Sequence, residues 1–158
     1  NAVISGIAFN RDEAKITITG VPDTPGVAFR ILGPIAKANI DVDMIIQNSS
    51  NDGSTDFSFT VNRVDLDEAT RVIETKVKSE INALDISSDN QICKVSVVGI
   101  GMRSHVGVAS QMFEVLSNEG INIKMISTSE IKISVVIDDK YMELAVRSLH
   151  DAFGLEKK

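Results

Sequence analysis

The chain has 158 residues, 43% of them hydrophobic and 4% aromatic, and carries a net charge of −6 at pH 7. That length suits one ordinary domain or two small ones, and a negative chain without a Lys/Arg run is a poor partner for nucleic acid or an anionic membrane. The single cysteine, Cys93, can form no internal disulfide, and no apolar stretch approaches the length of a membrane span, so a reducing, cytoplasmic setting is the expectation.

In chain order, Val3–Phe9 reads as a short strand followed by the polar turn Asn10-Arg-Asp-Glu13. Lys15–Gly20 alternates Ile16 and Ile18 against Lys15, Thr17 and Thr19, the period of a half-buried strand. Val21-Pro-Asp-Thr-Pro25 is a turn, with Asp23 between two prolines and able to accept from nearby backbone N–H groups. From Gly26 the residues Val27, Ala28, Ile31, Leu32 and Ile35 fall on one face of a helix, in which Pro34 predicts a kink. Ile40–Gln47 is a strand, Asn48–Ser54 a polar loop and Asp56–Asn62 a strand. Asp65 or Asp67 is the expected cap of a second helix carrying Ala69, Val72, Ile73 and Val77, and Ala83–Ser87 a short closing strand. The remainder reads as strand Ile92–Gly99, a turn, a helix from Gly107 with Val108, Ala109, Met112, Phe113 and Leu116, strands Ile121–Thr128 and Ile131–Ile137, and a helix with Met142, Ala145, Val146, Leu149 and Phe153.

The two halves repeat. Lys15-Ile-Thr-Ile-Thr-Gly20 is answered by Lys94-Val-Ser-Val-Val-Gly99. Gly26-Val-Ala28 returns as Gly107-Val-Ala109 and Ile40–Met44 as Ile121–Met125, both at an offset of 81 residues. Each copy is β-α-β-β-α, a split βαβ of the ferredoxin-like kind. The first has its fourth strand in Ala83–Ser87; the second has none, and Val3–Phe9 is unassigned. The expected fold is therefore α+β: two ferredoxin-like βαββαβ domains in tandem, with antiparallel sheets and helices on one face. One domain covers residues 15–88, the other 92–158 completed by strand 3–9, because a sheet lacking an edge strand exposes unpaired backbone.

A tandem unit of this kind, with an Asp-x-Pro-Gly turn opening its first helix, resembles the ACT domain, a family of small amino-acid-binding regulatory modules. Val3–Asn10, Gly20-Val-Pro-Asp-Thr-Pro-Gly26, Asp43-Met-Ile-Ile-Gln-Asn48, Thr55-Asp-Phe57, Lys94–Met102, Ser104-His105 and Ile126–Ile131 together resemble the regulatory part of bacterial aspartate kinase over essentially the whole chain. The resemblance implies feedback control of aspartate phosphorylation, on the way to lysine, threonine and methionine. It further implies a homodimer through the ACT domains and a catalytic kinase domain or subunit as partner. Nothing here is similar to that kinase part: there is no Lys-Phe-Gly-Gly motif and no other phosphate loop, so this segment alone is not expected to be an enzyme. Opening on Asn1, it fits a piece of something longer as well as a separate subunit.

An amino-acid effector needs donors for its carboxylate and acceptors for its ammonium. The N–H groups of Gly26, Val27 and Ala28 open a helix and suit the carboxylate. Asp23 suits the ammonium or a hydroxyl, and Gln47 can both donate and accept. The resemblance adds Asn122 and Ile123 from a partner chain, closing a threonine pocket. A second possible effector site, pseudo-equivalent to the first, comprises Met102, Ser104, His105, Val108, Ala109, Ser129 and Glu130. In lysine-binding relatives an acidic residue follows the Ile123 position; here it is Lys124, a like charge for a lysine ligand, so threonine is the favoured effector and lysine stays open.

Plainer readings compete. Asp23 suits turn capping as well as ligand contact, Gln47 and Asn122 are ordinary polar residues at strand ends, and Cys93 reads as packing. His105 and His150 have no metal-ligand spacing, and neither a metal nor a cofactor is expected. Gly99-Ile-Gly101 lacks the third glycine of a dinucleotide turn, and Phe57 and Phe59 alone, on an acidic chain, make a poor RNA platform. The alternatives are a dimerisation module that binds nothing and a small hydrolase using Arg103.

Overall fold

The computed structural model describes residues 3–83, 85–102 and 105–155. Its elements are β1 (Val3–Pro22), α1 (Val27–Lys37), β2 (Val42–Ser49), β3 (Ser54–Asn62), α2 (Leu66–Val72), a π-helical turn (Ile73–Val77), α3 (Lys78–Ile81), β4 (Asp85–Ile100), α4 (Val106–Asn118), β5 (Met125–Thr128), β6 (Lys132–Asp138) and α5 (Met142–Ala152). The chain forms two compact units. One runs from Asp12 to Asn90; the other joins the residues up to Arg11 with those from Gln91 onward.

In the 12–90 unit the strands lie in the order β2-β3-β1, with β4 beside β1, and the β2–β3 and β3–β1 pairs are antiparallel. In the other unit β1 is followed by β4, β6 and β5, again with antiparallel β4–β6 and β6–β5 pairs. Each is the split-βαβ arrangement. The N-terminal part of β1 supplies the second unit's fourth strand: Ser5 Oγ donates to the Val98 carbonyl (3.2 Å), and Ile4 and Ile7 pack on that unit's core.

Two expected breaks are absent. The polar stretch Asn10–Glu13 is not a turn, because β1 continues through it, with Glu13 opposite Asn62 and Ala14 opposite Val61. Likewise Ala83–Ser87 and Ile92–Gly99 are not separate strands: from Asp85 to Ile100 the chain is one extended strand. Backbone pairing, which side-chain polarity does not report, decides both cases. The second expected strand of the second copy, Ile121–Thr128, is shorter than read, starting only at Met125. The loop after β2 shrinks to four residues, 50–53, with Gly53 left-handed (φ 84°) and Ser50 N–H on the Ser54 carbonyl (2.8 Å).

Apolar periodicity places the helices. α1 buries Val27, Ile31 and Ile35 onto a core with Ile16, Ile18, Phe57 and Phe59, to which Ala69, Val72, Ile73 and Val77 also belong. The second core gathers Val95, Val97, Met112, Leu116, Ile133, Val135, Ala145 and Leu149. α1 continues through Pro34 to Lys37. It ends with Asn39 left-handed (φ 63°) and Ile40 N–H on the Ile35 carbonyl; α4 ends the same way with Gly120 (φ 73°) and Ile121 on Leu116. The second helical segment is not capped by Asp65 or Asp67. The chain leaves β3 directly into a 3₁₀ turn whose cap is Asn62, its side chain accepting from Val64 N–H (3.1 Å), and Asp138 repeats this with Lys140 N–H (3.1 Å).

Candidate functional site

The first candidate site grows from a bulge. On β1, Thr19 and Gly20 together face Asp56 of β3, since Ile18 pairs with Phe57 and Val21 with Thr55. Gly20 takes a left-handed conformation (φ 69°), and its displaced N–H is recovered by the Asp56 carboxylate at 3.0 Å. A second bulge, between Val42 and Ile45 of β2, is satisfied in the same manner, Met44 N–H donating to Thr60 Oγ1 at 2.9 Å. These devices set the exit of β1 and the course of β2 toward the same place.

There the β1–α1 turn meets the β2–β3 hairpin. Asp23 N–H donates to the Gly53 carbonyl (3.0 Å). The Asp23 carboxylate accepts from Ser49 Oγ at 2.9 Å on one oxygen and from Gln47 Nε2 at 3.5 Å on the other. All three side chains are exposed. The donors to the Asp23 carboxylate are thus side chains of β2, where the turn alone suggested backbone N–H groups. Asp52 stiffens the hairpin, accepting from the Ser54 amide (3.0 Å) and hydroxyl (2.6 Å), and these bonds hold its carboxyl below the usual range. Beyond Asp23, Gly26 is the left-handed residue (φ 89°) at the start of α1, and a Cβ there would meet nothing within 4 Å. The glycine is required by backbone conformation. Val27 N–H is engaged by the Thr24 carbonyl (3.2 Å), and Gly26 and Ala28 stand either side of it where a helix start leaves N–H groups without intrahelical partners.

The structure therefore brings Asp23, Gln47, Gly26, Val27 and Ala28 to one turn–hairpin junction. Asn122 (exposed) and Ile123 (half-buried) lie in the other unit, just before β5. Ser49 escaped the sequence reading. Its signal is the strand period: Gln47 and Ser49 are two residues apart on β2 and share a face.

The second junction has the same plan with different chemistry. Met102 N–H donates to the Glu130 carbonyl (2.9 Å), and Gly99 N–H to that of Ile131 (2.7 Å). Met102 thus stands where Asp23 stands in the first, but its side chain is in the core, 1% exposed. His105 Nδ1 lies 2.7 Å from the Gly101 carbonyl, which only accepts, so Nδ1 carries the proton. Ser129 serves its own hairpin, its hydroxyl accepting from Lys132 N–H (3.2 Å). Val108 and Ala109 are half-buried against the second core, and Glu130 is exposed. Ser104 and Arg103 fall outside the described residues, as does Leu84 of the expected closing strand. Cys93 is buried, and no described helix is long and apolar enough to cross a membrane.

Residues 15–77 match the family model of the ACT domain, and residues 95–153 match a second ACT-domain model. Fold and junctions together thus define a tandem ACT-domain protein. The aspartate kinase of Pseudomonas fluorescens is 66% identical over 154 residues, 98% of this chain and 37% of that protein. The aspartokinase of Helicobacter pylori is 46% identical over 155 residues, 98% and 38% of the two chains. Among solved structures, a chain of aspartokinase alpha and beta subunits matches with a TM-score of 0.91 at 57% identity, covering 97% of this chain and all of that one. The regulatory subunit of aspartate kinase from Thermus thermophilus, ligand free, matches with a TM-score of 0.91 at 38% identity, covering 96% and 99%. The chain belongs to the regulatory ACT regions of the aspartokinase family. It spans a little over a third of the length of the curated relatives.

Proposed function

We propose that this chain is the effector-sensing part of an aspartokinase and that it binds free threonine at the Asp23–Ala28 turn, biasing an attached or associated kinase region toward feedback inhibition. One observation carries the reading: the Asp23 carboxylate, held in place by Ser49 and Gln47, stands three residues before Gly26, the N-cap of α1. A free amino acid has an ammonium for the first and a carboxylate for the second. The site is open on its own, whereas ligand sites enclose most of their ligand. That supports closure by a second copy of the chain, through Asn122 and Ile123. The outermost strands β2 and β5 carry exposed Ile45 (51%) and Ile126 (46%), suitable for such pairing.

Threonine is favoured over lysine because Lys124 follows Ile123. The second junction, with buried Met102 in Asp23's place, offers a weaker case for a further effector.

The test is calorimetric titration of the 158-residue chain with threonine and lysine, with alanine and aspartate as controls. Saturable, threonine-selective heat is expected. Asp23→Ala should weaken it by about ten- to a hundredfold, the worth of a hydrogen bond to a charged group, with Gln47→Ala in the same direction and both variants folded. Binding of none of the four amino acids would favour a dimerisation module instead, and unchanged affinity in both variants would remove these residues from the site.

A further inference from the structure

We infer that Ser49 is a positioning residue for the effector's ammonium group, acting through Asp23; this rests on the threonine-site reading above. Asp23 sits on an exposed turn, where an unsupported carboxylate would move among rotamers. Here it is restrained at three points. Its own N–H is tied to the Gly53 carbonyl (3.0 Å), one oxygen receives the Ser49 hydroxyl (2.9 Å), and the other meets Gln47 Nε2 at the longer distance of 3.5 Å. The shorter bond is the firmer of the two side-chain contacts.

Ser49 is itself well anchored. It is the last residue of β2, paired with Thr55; beyond it Ser50 N–H donates to the Ser54 carbonyl (2.8 Å), and before it the Asn48 carbonyl accepts the Thr55 hydroxyl (2.9 Å). Thr55 is fully buried. The hydroxyl is thus presented from a fixed strand end to a turn that the same hairpin holds.

An ionised carboxylate has about four acceptor positions, and two protein donors leave room for the N–H bonds of an ammonium. The cost of ordering Asp23 is met on folding, so less is lost when the ligand arrives. Because the contact made is to the ammonium that every amino acid carries, Ser49 raises affinity without choosing among side chains.

The experiment is a threonine titration of the 158-residue chain and its Ser49→Ala, Ser49→Val, Ser49→Thr, Asp23→Asn and Ser49→Ala/Asp23→Asn variants, with the unfolding midpoint of each as a control. Ser49→Ala and Ser49→Val should bind roughly three- to tenfold more weakly, the range of one newly mobile side chain. Ser49→Thr, which keeps the hydroxyl on the shape of valine, should return close to the parent affinity. The double variant should be no weaker than Asp23→Asn alone, since Ser49 acts only through that carboxylate. A part that merely stiffens the hairpin would lower the midpoint and leave this pattern absent. Parent binding with undiminished Ser49→Ala and Ser49→Val affinity, or with additive losses in the double variant, overturns the role of Ser49 and leaves the threonine site standing. A parent chain that binds no amino acid overturns both.

Discussion

At the scale of single residues, the two units share a hydroxyl pair between their central strands. Thr17 Oγ1 and Ser58 Oγ are 3.0 Å apart in the 12–90 unit, and Ser96 Oγ and Ser134 Oγ are 2.6 Å apart in the other. Each pair sits directly opposite in the strand register. The surroundings differ: the first is half-buried, whereas Ser96 and Ser134 are 2% and 4% exposed. Removing one buried partner leaves the other hydroxyl unsatisfied, which costs about 1–3 kcal/mol. We expect Ser96→Ala to lower unfolding free energy by that amount in urea denaturation, and Ser96→Ala/Ser134→Ala to cost less than the sum of the single changes. Thr17→Ala, with water close by, should cost less than Ser96→Ala. Alternation along Lys15–Gly20 revealed one apolar face and one polar face. The repeat that answers it at Lys94–Gly99 could not reveal that Ser96 is buried where Thr17 is half-buried, because burial depends on packing around the strand. The same holds at the site: Asp23 and Gln47 stand out in sequence through their motifs, but Ser49 acquires its partner only from the hairpin register.

At the scale of elements, the repeat was legible because it is written in backbone requirements. Asn39 and Gly120 both supply the left-handed residue that ends a helix, and Ile40 and Ile121 both turn back to be buried after it (5% and 4% exposed). The matching Gly-Val-Ala triplets are less equivalent than they look. Gly26 lies before α1 at φ 89°, while Gly107 lies inside α4, which starts at Val106 and is preceded by His105. The residues between strand and helix differ in number, so the same letters meet different backbone. A Cβ would have open space at either glycine, so conformation alone decides the outcome. Gly26→Ala should destabilise by about 1–2 kcal/mol, the cost of a left-handed alanine. Gly107→Ala should stabilise by about 0.5–1 kcal/mol, as expected within a helix. Opposite shifts of the chemical denaturation midpoint check the pair. Boundaries were least legible at Asn10–Glu13 and around Ser87–Asn90, where polar residues belong to the long strands β1 and β4.

At the scale of the whole molecule, each unit has its own core, and β1 and β4 each pass from one unit to the other. Ligand binding to the folded chain must raise its stability by mass action, by about 2.7 kcal/mol at a hundredfold excess over Kd. For a chain of this size that is a thermal shift of about 5–10 °C, expected with threonine and absent with alanine in a melting experiment. On the proposed function, coupling to an associated kinase region would draw on the same free energy, typically about 1–3 kcal/mol. The tandem fold itself was legible, since one copy lacked a strand and one strand lacked a copy. Completing a unit in that way has a consequence during synthesis. The N-terminal part of β1 pairs with β4 residues made only after the whole 12–90 unit, as the Ser5–Val98 bond illustrates. At about 5–20 residues per second that segment waits roughly 4–16 s for its neighbour. The 12–90 unit can collapse meanwhile, so the order of assembly is inside-out: that unit first, the two segments that flank it last and together.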